Sequence, residues 1–327
     1  MQALRAIDFH HHARPASFWD ALRARGRTAH AGVPFPPATE PEKTLRMMDD
    51  TGIALAVLSS PDADTLFADR AFALETARPI NEFYAGIIQR WPDRFGGLVC
   101  LPLPHVDLAL EEIRYGLDVL KLDGVMLCTS YAGRYLGGPE FDPVLQELDR
   151  RRATVLVHPV TPVGMDRFDL KLPPYLVEFT SDTSRCIINC LTHDVPRRFP
   201  NVKLVFSHAG GTAPYLAPRI ALLDTMTNPH NTLGIEEARA KALAGLRSFW
   251  YDTALTAVDP IFTMLRDTVG LDRVVFGSDF PQSSADLVQA TVRGVAGSRV
   301  LDDEEKMSIA RGTVLKLMPQ LALRLER

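Results

Sequence analysis

The sequence predicts a single-domain (β/α)8 TIM barrel with long βα loops at its catalytic face, and three observations predict it. Short apolar runs alternate with stretches of helical periodicity from one end of the 327 residues to the other, the pattern of repeated strand-helix units. Eight such runs are present, the number that closes a barrel of this kind. The length is that of one barrel of about 250 residues enlarged by insertions. No internal repeat, Ser/Gly linker or low-complexity segment splits residues 1–327 into two domains.

Taken in order, the first run, residues 3–10, leads into His10, His11 and His12. The others are 53–59 (IALAVLS), 95–101 (FGGLVCL), 124–128 (GVMLC), 154–158 (TVLVH), 203–208 (KLVFSH), 249–253 (FWYDT) and 273–278 (RVVFGS). They are nearly all apolar rather than alternating, as strands buried on both faces of a parallel sheet must be. Between them, amphipathic segments at 41–50, 69–91, 107–120, 141–151, 183–198, 214–223, 260–268 and 285–295 read as helices. Residues 23–39, 129–140 and 160–180 are rich in Gly, Pro and aromatics. Each lies between the C-terminal end of a strand and the next helix, where a barrel carries its substrate loops.

Composition narrows the function. With 46% hydrophobic and 23% charged residues the chain can bury a full core, which excludes a disordered or fibrous protein. A net charge of -4 offers no footprint for nucleic acid or an anionic membrane, so a small-molecule substrate is expected. The N-terminus lacks the features of a secretory signal, and no apolar run is long enough to span a bilayer. A cytoplasmic protein is expected. Cys100, Cys128, Cys186 and Cys190 form no CxxC pair and read as buried thiols.

The chemistry concentrates at strand ends. Side chains alternate along a strand, so His10 and His12 share a face and His11 takes the other. A His-x-His pair of this kind can chelate one ion. His158 closes the fifth run, His208 the sixth, and Asp279 follows the eighth. A barrel brings those ends together, and convergence of imidazoles and a carboxylate is a demand of chemistry rather than of packing. Such donors suit one divalent ion, zinc first and manganese next. Gly210 and Gly211 read as a tight turn beneath the metal; Asp252 reads as a capping or turn residue first, and as a group orienting a neighbour second.

The stretches IDFHHH, VLVHP, FSHAGGTAPYLAPR and FGSDFP resemble the amidohydrolase superfamily, in particular its branch of aminocarboxymuconate-semialdehyde and hydroxybenzoate-type decarboxylases. RMMDDTGIALAVLSSP, DTSRCIINCLTHDVPRRFPNVKLVFSHAGG and YDTA are similar to that branch in order and spacing, so the resemblance covers nearly the whole chain. It implies that His10, His12, His158 and Asp279 ligate one metal ion, with His208 unligated beside it as general acid/base and Asp279 sharing the proton work. It implies further that Arg219 reaches into a neighbouring subunit's site to hold a substrate carboxylate, and hence a homodimer. One feature departs from the pattern. The semialdehyde decarboxylase has an arginine before the first helix, where this chain has GVPFPPATEP. A monocarboxylated aromatic of the salicylate kind is therefore the expected substrate, with Phe35, Phe168, Tyr175 and Phe280 lining its pocket. Non-oxidative decarboxylation is the expected reaction. Metal-dependent hydrolysis of a lactone, ester or amide is its rival on the same scaffold, and a non-catalytic metal-binding barrel is the third reading.

Overall fold

The computed structural model describes residues 4–27, 29–30, 33–35, 37–61, 66–165, 171–223 and 233–326. Eight parallel strands form one sheet in sequential order: β1 (Ala6–His12), β2 (Ile53–Ser59), β3 (Phe95–Cys100), β4 (Gly124–Cys128), β5 (Thr154–His158), β6 (Lys203–Phe206), β7 (Trp250–Asp252) and β8 (Val274–Val275). The segment after β8 returns to β1. The Phe9 N–H donates to the Phe276 carbonyl, the Asp279 N–H to that of His10 and the His12 N–H to that of Phe280, at 2.9, 2.9 and 2.7 Å. These bonds close the barrel.

Alternate residues divide into two cores. Ile7, Phe9, Leu55, Val57, Leu98, Met126, Leu156, Val205 and Val275 point inward, and Val314, Leu317, Met318 and Leu321 from the chain's end plug the barrel from below. Their neighbours, Val155, Val157, Leu204, Phe206, Tyr251 and Val274 among them, face outward into a second layer under the helices. That layer is built from α1 (Ala16–Ala24), α2 (Pro41–Thr51), α3 (Arg70–Arg90), α4 (Val106–Arg114), α5 (Asp142–Arg150), α6 (Glu178–Thr192), α7 (Val195–Arg198), α8 (Ala217–Ile220), α9 (Ile235–Leu246), α10 (Asp259–Thr268) and α11 (Ala285–Ala296). The helices α12 (Asp303–Met307), α13 (Thr313–Leu317) and α14 (Gln320–Leu325) follow.

The expected elements are present with altered ends. The predicted first strand stopped at His10, whereas β1 continues to His12 because the sheet closes through the histidines themselves. The sixth strand ends at Phe206, before His208, and the eighth has only two ladder residues. In both places the chain leaves the strand to enter a left-handed turn that carries a site residue. The predicted helix 183–198 is two helices, broken at His193 and Asp194, where Asp194 adopts a φ of 56°. The helix α1 was not anticipated, although Phe18, Trp19, Ala21 and Leu22 are its buried face; neither were α9 and the three C-terminal helices. Among the described residues, no helix is long and apolar enough to cross a membrane. All four cysteines are buried thiols.

Candidate metal centre

Inward alternation along β1 places Ile7 and Phe9 in the barrel interior, which would send His10 outward. A register irregularity between Asp8 and His11 changes the phase, so that His10 and His12 both face the barrel axis at its C-terminal mouth. A bulge beside a site, re-aiming a side chain, is a recurrent device. Asp8 holds this distortion. Its Oδ1 accepts the N–H groups of Ser278 and His10 at 2.8 and 3.3 Å, and its Oδ2 accepts the Ser278 hydroxyl at 2.6 Å and His11 Nδ1–H at 3.0 Å. The central histidine is thus tied to a carboxylate, and its ring lies against that of Phe280, 5.3 Å between centroids.

The tautomers of the other histidines follow from their partners. His158 Nδ1 stands 2.7 Å from the Pro159 carbonyl, which can only accept, so Nδ1 carries the proton. His10 Nδ1 is 2.7 Å from Asp252 Oδ2 and likewise donates. His12 Nδ1 is 3.1 Å from Ser59 Oγ, whose own proton goes to the His11 carbonyl, so His12 is again the donor. In their neutral forms all three therefore present Nε2 lone pairs to one another. His10 Nε2 and His12 Nε2 are 3.0 Å apart, and each approaches Asp279 Oδ1, at 3.4 and 3.0 Å. His158 Nε2 and Asp279 Oδ1 are buried without a hydrogen-bond partner. Lone pairs and a carboxylate oxygen facing each other in a buried site repel unless a cation lies between them. Atoms held about 2.1 Å from a shared ion stand about 3.0 to 3.4 Å apart, octahedral to tetrahedral, which is the spacing here. The donor set fits a divalent metal ion.

His208 joins from the other side. Donor atoms of His10, His158, His208 and Asp279 all lie within 4.8 Å of one another, so distance alone admits His208 as a ligand in the place expected for His12. The carboxylate separates the roles: Asp279 turns Oδ1 to His10 and His12 and Oδ2 to His208 Nε2, at 3.4 Å. Both residues occupy left-handed backbone, with φ of 55° for His208 and 62° for Asp279, a conformation rare for side-chain-bearing residues and concentrated at functional sites. The turn after His208 needs Gly211, where a Cβ would come within 2.0 Å of the Thr180 carbonyl oxygen.

Charges are strongly perturbed. Burial pulls His10 down, but the Asp252, Asp279 and Asp8 carboxylates more than reverse this and hold it at about 9. Burial dominates at His12, which falls to about 4, and at His158, which lies well below the usual range with His12, His10 and His208 adding repulsion. Burial raises Asp279, yet the neighbouring His12, His208 and His10 outweigh it and hold the carboxyl well below its usual range. One proton on His10 thus occupies the place a metal would take.

Of the residues expected at the site, the fold brings His10, His12, His158, His208 and Asp279 together. Arg219 is exposed on α8 and makes no ion pair with a described residue. Phe35 stacks on Trp19, 4.8 Å between centroids, Tyr175 is half exposed, and Phe168 lies outside the described residues. Two contributors went unread in the sequence, and for a third, Asp252, the second of its two expected roles is the one observed. Asp252 is an orienting group rather than a simple cap: besides His10 it accepts the N–H groups of His208 and Ala254, at 2.8 and 2.9 Å. Gly277 faces inward beneath His10, where a Cβ would stand 2.8 Å from the His10 Cβ. Phe179, at the start of α6, sets its ring edge 6.1 Å from His158. Position at the end of the seventh strand is the signal for Asp252; the other two carry no local signal.

A closed parallel barrel with a buried His/Asp cluster at its C-terminal mouth, where a metal ion could be held, is the architecture of a barrel enzyme. The chain belongs to the amidohydrolase family, whose profile matches residues 7–319. It is 32% identical to a 6-methylsalicylic acid decarboxylase of Aspergillus aculeatus over 324 residues, 98% of this chain and 95% of that protein. It is 33% identical to the decarboxylase yanB of Aspergillus niger over 336 residues, 97% and 88% of the two. A crystal structure of 5-carboxyvanillate decarboxylase from Novosphingobium aromaticivorans, complexed with manganese and a nitrobenzoic acid, shares the fold with a TM-score of 0.81 at 21% identity, covering 95% of each chain.

Proposed function

We propose that this protein is a metal-dependent, non-oxidative decarboxylase of a small aromatic carboxylic acid of the salicylate kind. The observation that carries the reaction class is its similarity, over nearly the full length of both chains, to a 6-methylsalicylic acid decarboxylase. The roles of individual residues rest on the cluster's geometry. His10, His12, His158 and Asp279 Oδ1 hold one divalent ion, zinc or manganese. An ion held there would supply positive charge to offset that of a bound carboxylate.

The chain's own groups do the rest. Asp252 fixes the His10 ring, Ser59 that of His12 and the Pro159 carbonyl that of His158, so the donors are oriented before substrate arrives. Phe179, Phe280 and Phe35 offer apolar ring surface around the substrate. When the bond between ring and carboxylate breaks, its electron pair stays on the ring carbon, which must gain a proton. His208 holds that proton at Nε2, with ionised Asp279 Oδ2 beside it stabilising the imidazolium. The reading extends to a homodimer in which Arg219 serves the partner's site, favoured by the exposure of Arg219 and of Tyr215 on the same turn. It extends also to a cytoplasmic location, favoured by a buried position for all four cysteine thiols.

The test is carbon dioxide release from 6-methylsalicylate, salicylate and dihydroxybenzoates by protein of measured metal content. Metal-dependent release from one of them is expected. Well-metallated protein that releases none, yet hydrolyses lactones or esters, would overturn the reading.

A further inference from the structure

The far end of the barrel carries a cavity of about 380 Å³, lined by the first residues of β4, β5 and β6, the turn before β5 and the C-terminal segment. Its charges do not balance. Arg151 pairs with Asp118 and Glu147, at 2.7 and 2.6 Å, and Asp123 pairs with Arg324 at 2.7 Å. Arg152 and Lys203 have no carboxylate partner among the described residues. The Lys203 ammonium donates only to the Leu317 carbonyl, at 3.2 Å. Two like charges thus share one concave surface, and Arg152 sits there in left-handed backbone, φ 54°. Burial, and then the neighbouring Arg152, pull Lys203 below its ordinary pKa.

We propose that this cavity binds a small organic phosphate, with Arg152 and Lys203 neutralising its doubly charged phosphoryl group. A guanidinium fork beside an ammonium suits a compact dianion, the fork bonding two oxygens and the ammonium acting as a point charge. Near neutral pH a phosphomonoester carries close to two charges, matching the two unpaired cations. The volume falls in the range of about 300 to 1,000 Å³ typical of organic ligand sites, which leaves room for the ester's carbon portion beyond the phosphoryl group. The site lies at the opposite end of the barrel from the metal cluster and does not depend on the reaction proposed there.

Calorimetric titration of the metal-loaded, full-length protein with glycerol 2-phosphate, at constant ionic strength, tests the proposal. One saturable site per chain is expected, weakened by about tenfold or more in Arg152→Gln and in Lys203→Gln, with kcat measured without phosphate unchanged in both. Arg152 is exposed, so Arg152→Gln carries the test even if the other variant folds poorly. Absence of saturable binding up to about 10 mM, or binding of equal strength in wild type and Arg152→Gln, as phosphate at the metal would give, overturns the proposal.

Discussion

Proton and metal compete for one atom, His10 Nε2, and the competition can be counted. With its pKa at about 9 in the ion-free cluster, His10 is protonated at pH 7 in roughly 99 of 100 molecules, which lowers apparent metal affinity by about 100-fold, or about 2.7 kcal/mol. Affinity should therefore rise about tenfold per pH unit from 7 until it levels near pH 9, and binding at pH 7 should expel about one proton from His10. Asp252 is the foremost group raising His10 against its burial. In Asp252→Asn that proton is largely absent before the metal arrives. Calorimetry of metal binding in two buffers of different ionisation enthalpy gives the proton number directly. Wild type should release about one proton more than Asp252→Asn, a difference that cancels protons released from other groups. An identical proton number in the two proteins would refute the account of His10 as a carboxylate-held cation in the ion-free cluster.

The same shifts set the stability of the ion-free protein. His10, raised from 6.5 to about 9, contributes stability that is complete below pH 6.5 and lost as pH rises through 9, about 3 kcal/mol in all. His12, lowered to about 4, costs stability as pH falls from 6.5 toward 4. Denaturant titrations of chelator-treated protein should therefore show a maximum near pH 6.5; a monotonic rise to pH 9 would contradict the His10 assignment, and a monotonic fall from pH 4 that of His12. His208→Ala should lower kcat by about 10² to 10⁴ while elemental analysis still finds one metal per chain, and loss of the metal would instead make His208 a ligand. Gly277→Ala forces a Cβ to within 2.8 Å of the His10 Cβ and should destabilise by about 1 to 3 kcal/mol with weakened metal binding. An unchanged melting temperature would mean that β1 shifts freely, against the bonds that close the barrel.

How much the sequence could say depended on how local the physical cause was. Apolar runs such as TVLVH and GVMLC are strands because both their faces are buried, and β4 and β5 have the predicted bounds. The ends of β1 and β8 were misplaced because they are set by hydrogen bonds between segments more than 250 residues apart, as between Asp279 and His10, and that of β6 because the chain turns at His208 to meet Asp252. The helix α1 follows β1 after only three residues, and its start at Pro15 offers no capping hydroxyl or carboxylate to announce it.

The five polar site residues were legible because imidazoles and a carboxylate at strand ends have few other reasons to be there, and a barrel's topology gathers strand ends whatever the detail. The residue types thus determined the family, the architecture and the donor set. Only the tertiary structure decided which atoms face the ion. The bulge between Asp8 and His11, the glycine under His10 and the three Nδ1 acceptors supplied by Asp252, Ser59 and Pro159 together aim the Nε2 lone pairs. Asp252, Ser59 and Gly277 act across distant segments, and the orientation of a ring in a packed interior is fixed by what surrounds it rather than by its own place in the chain.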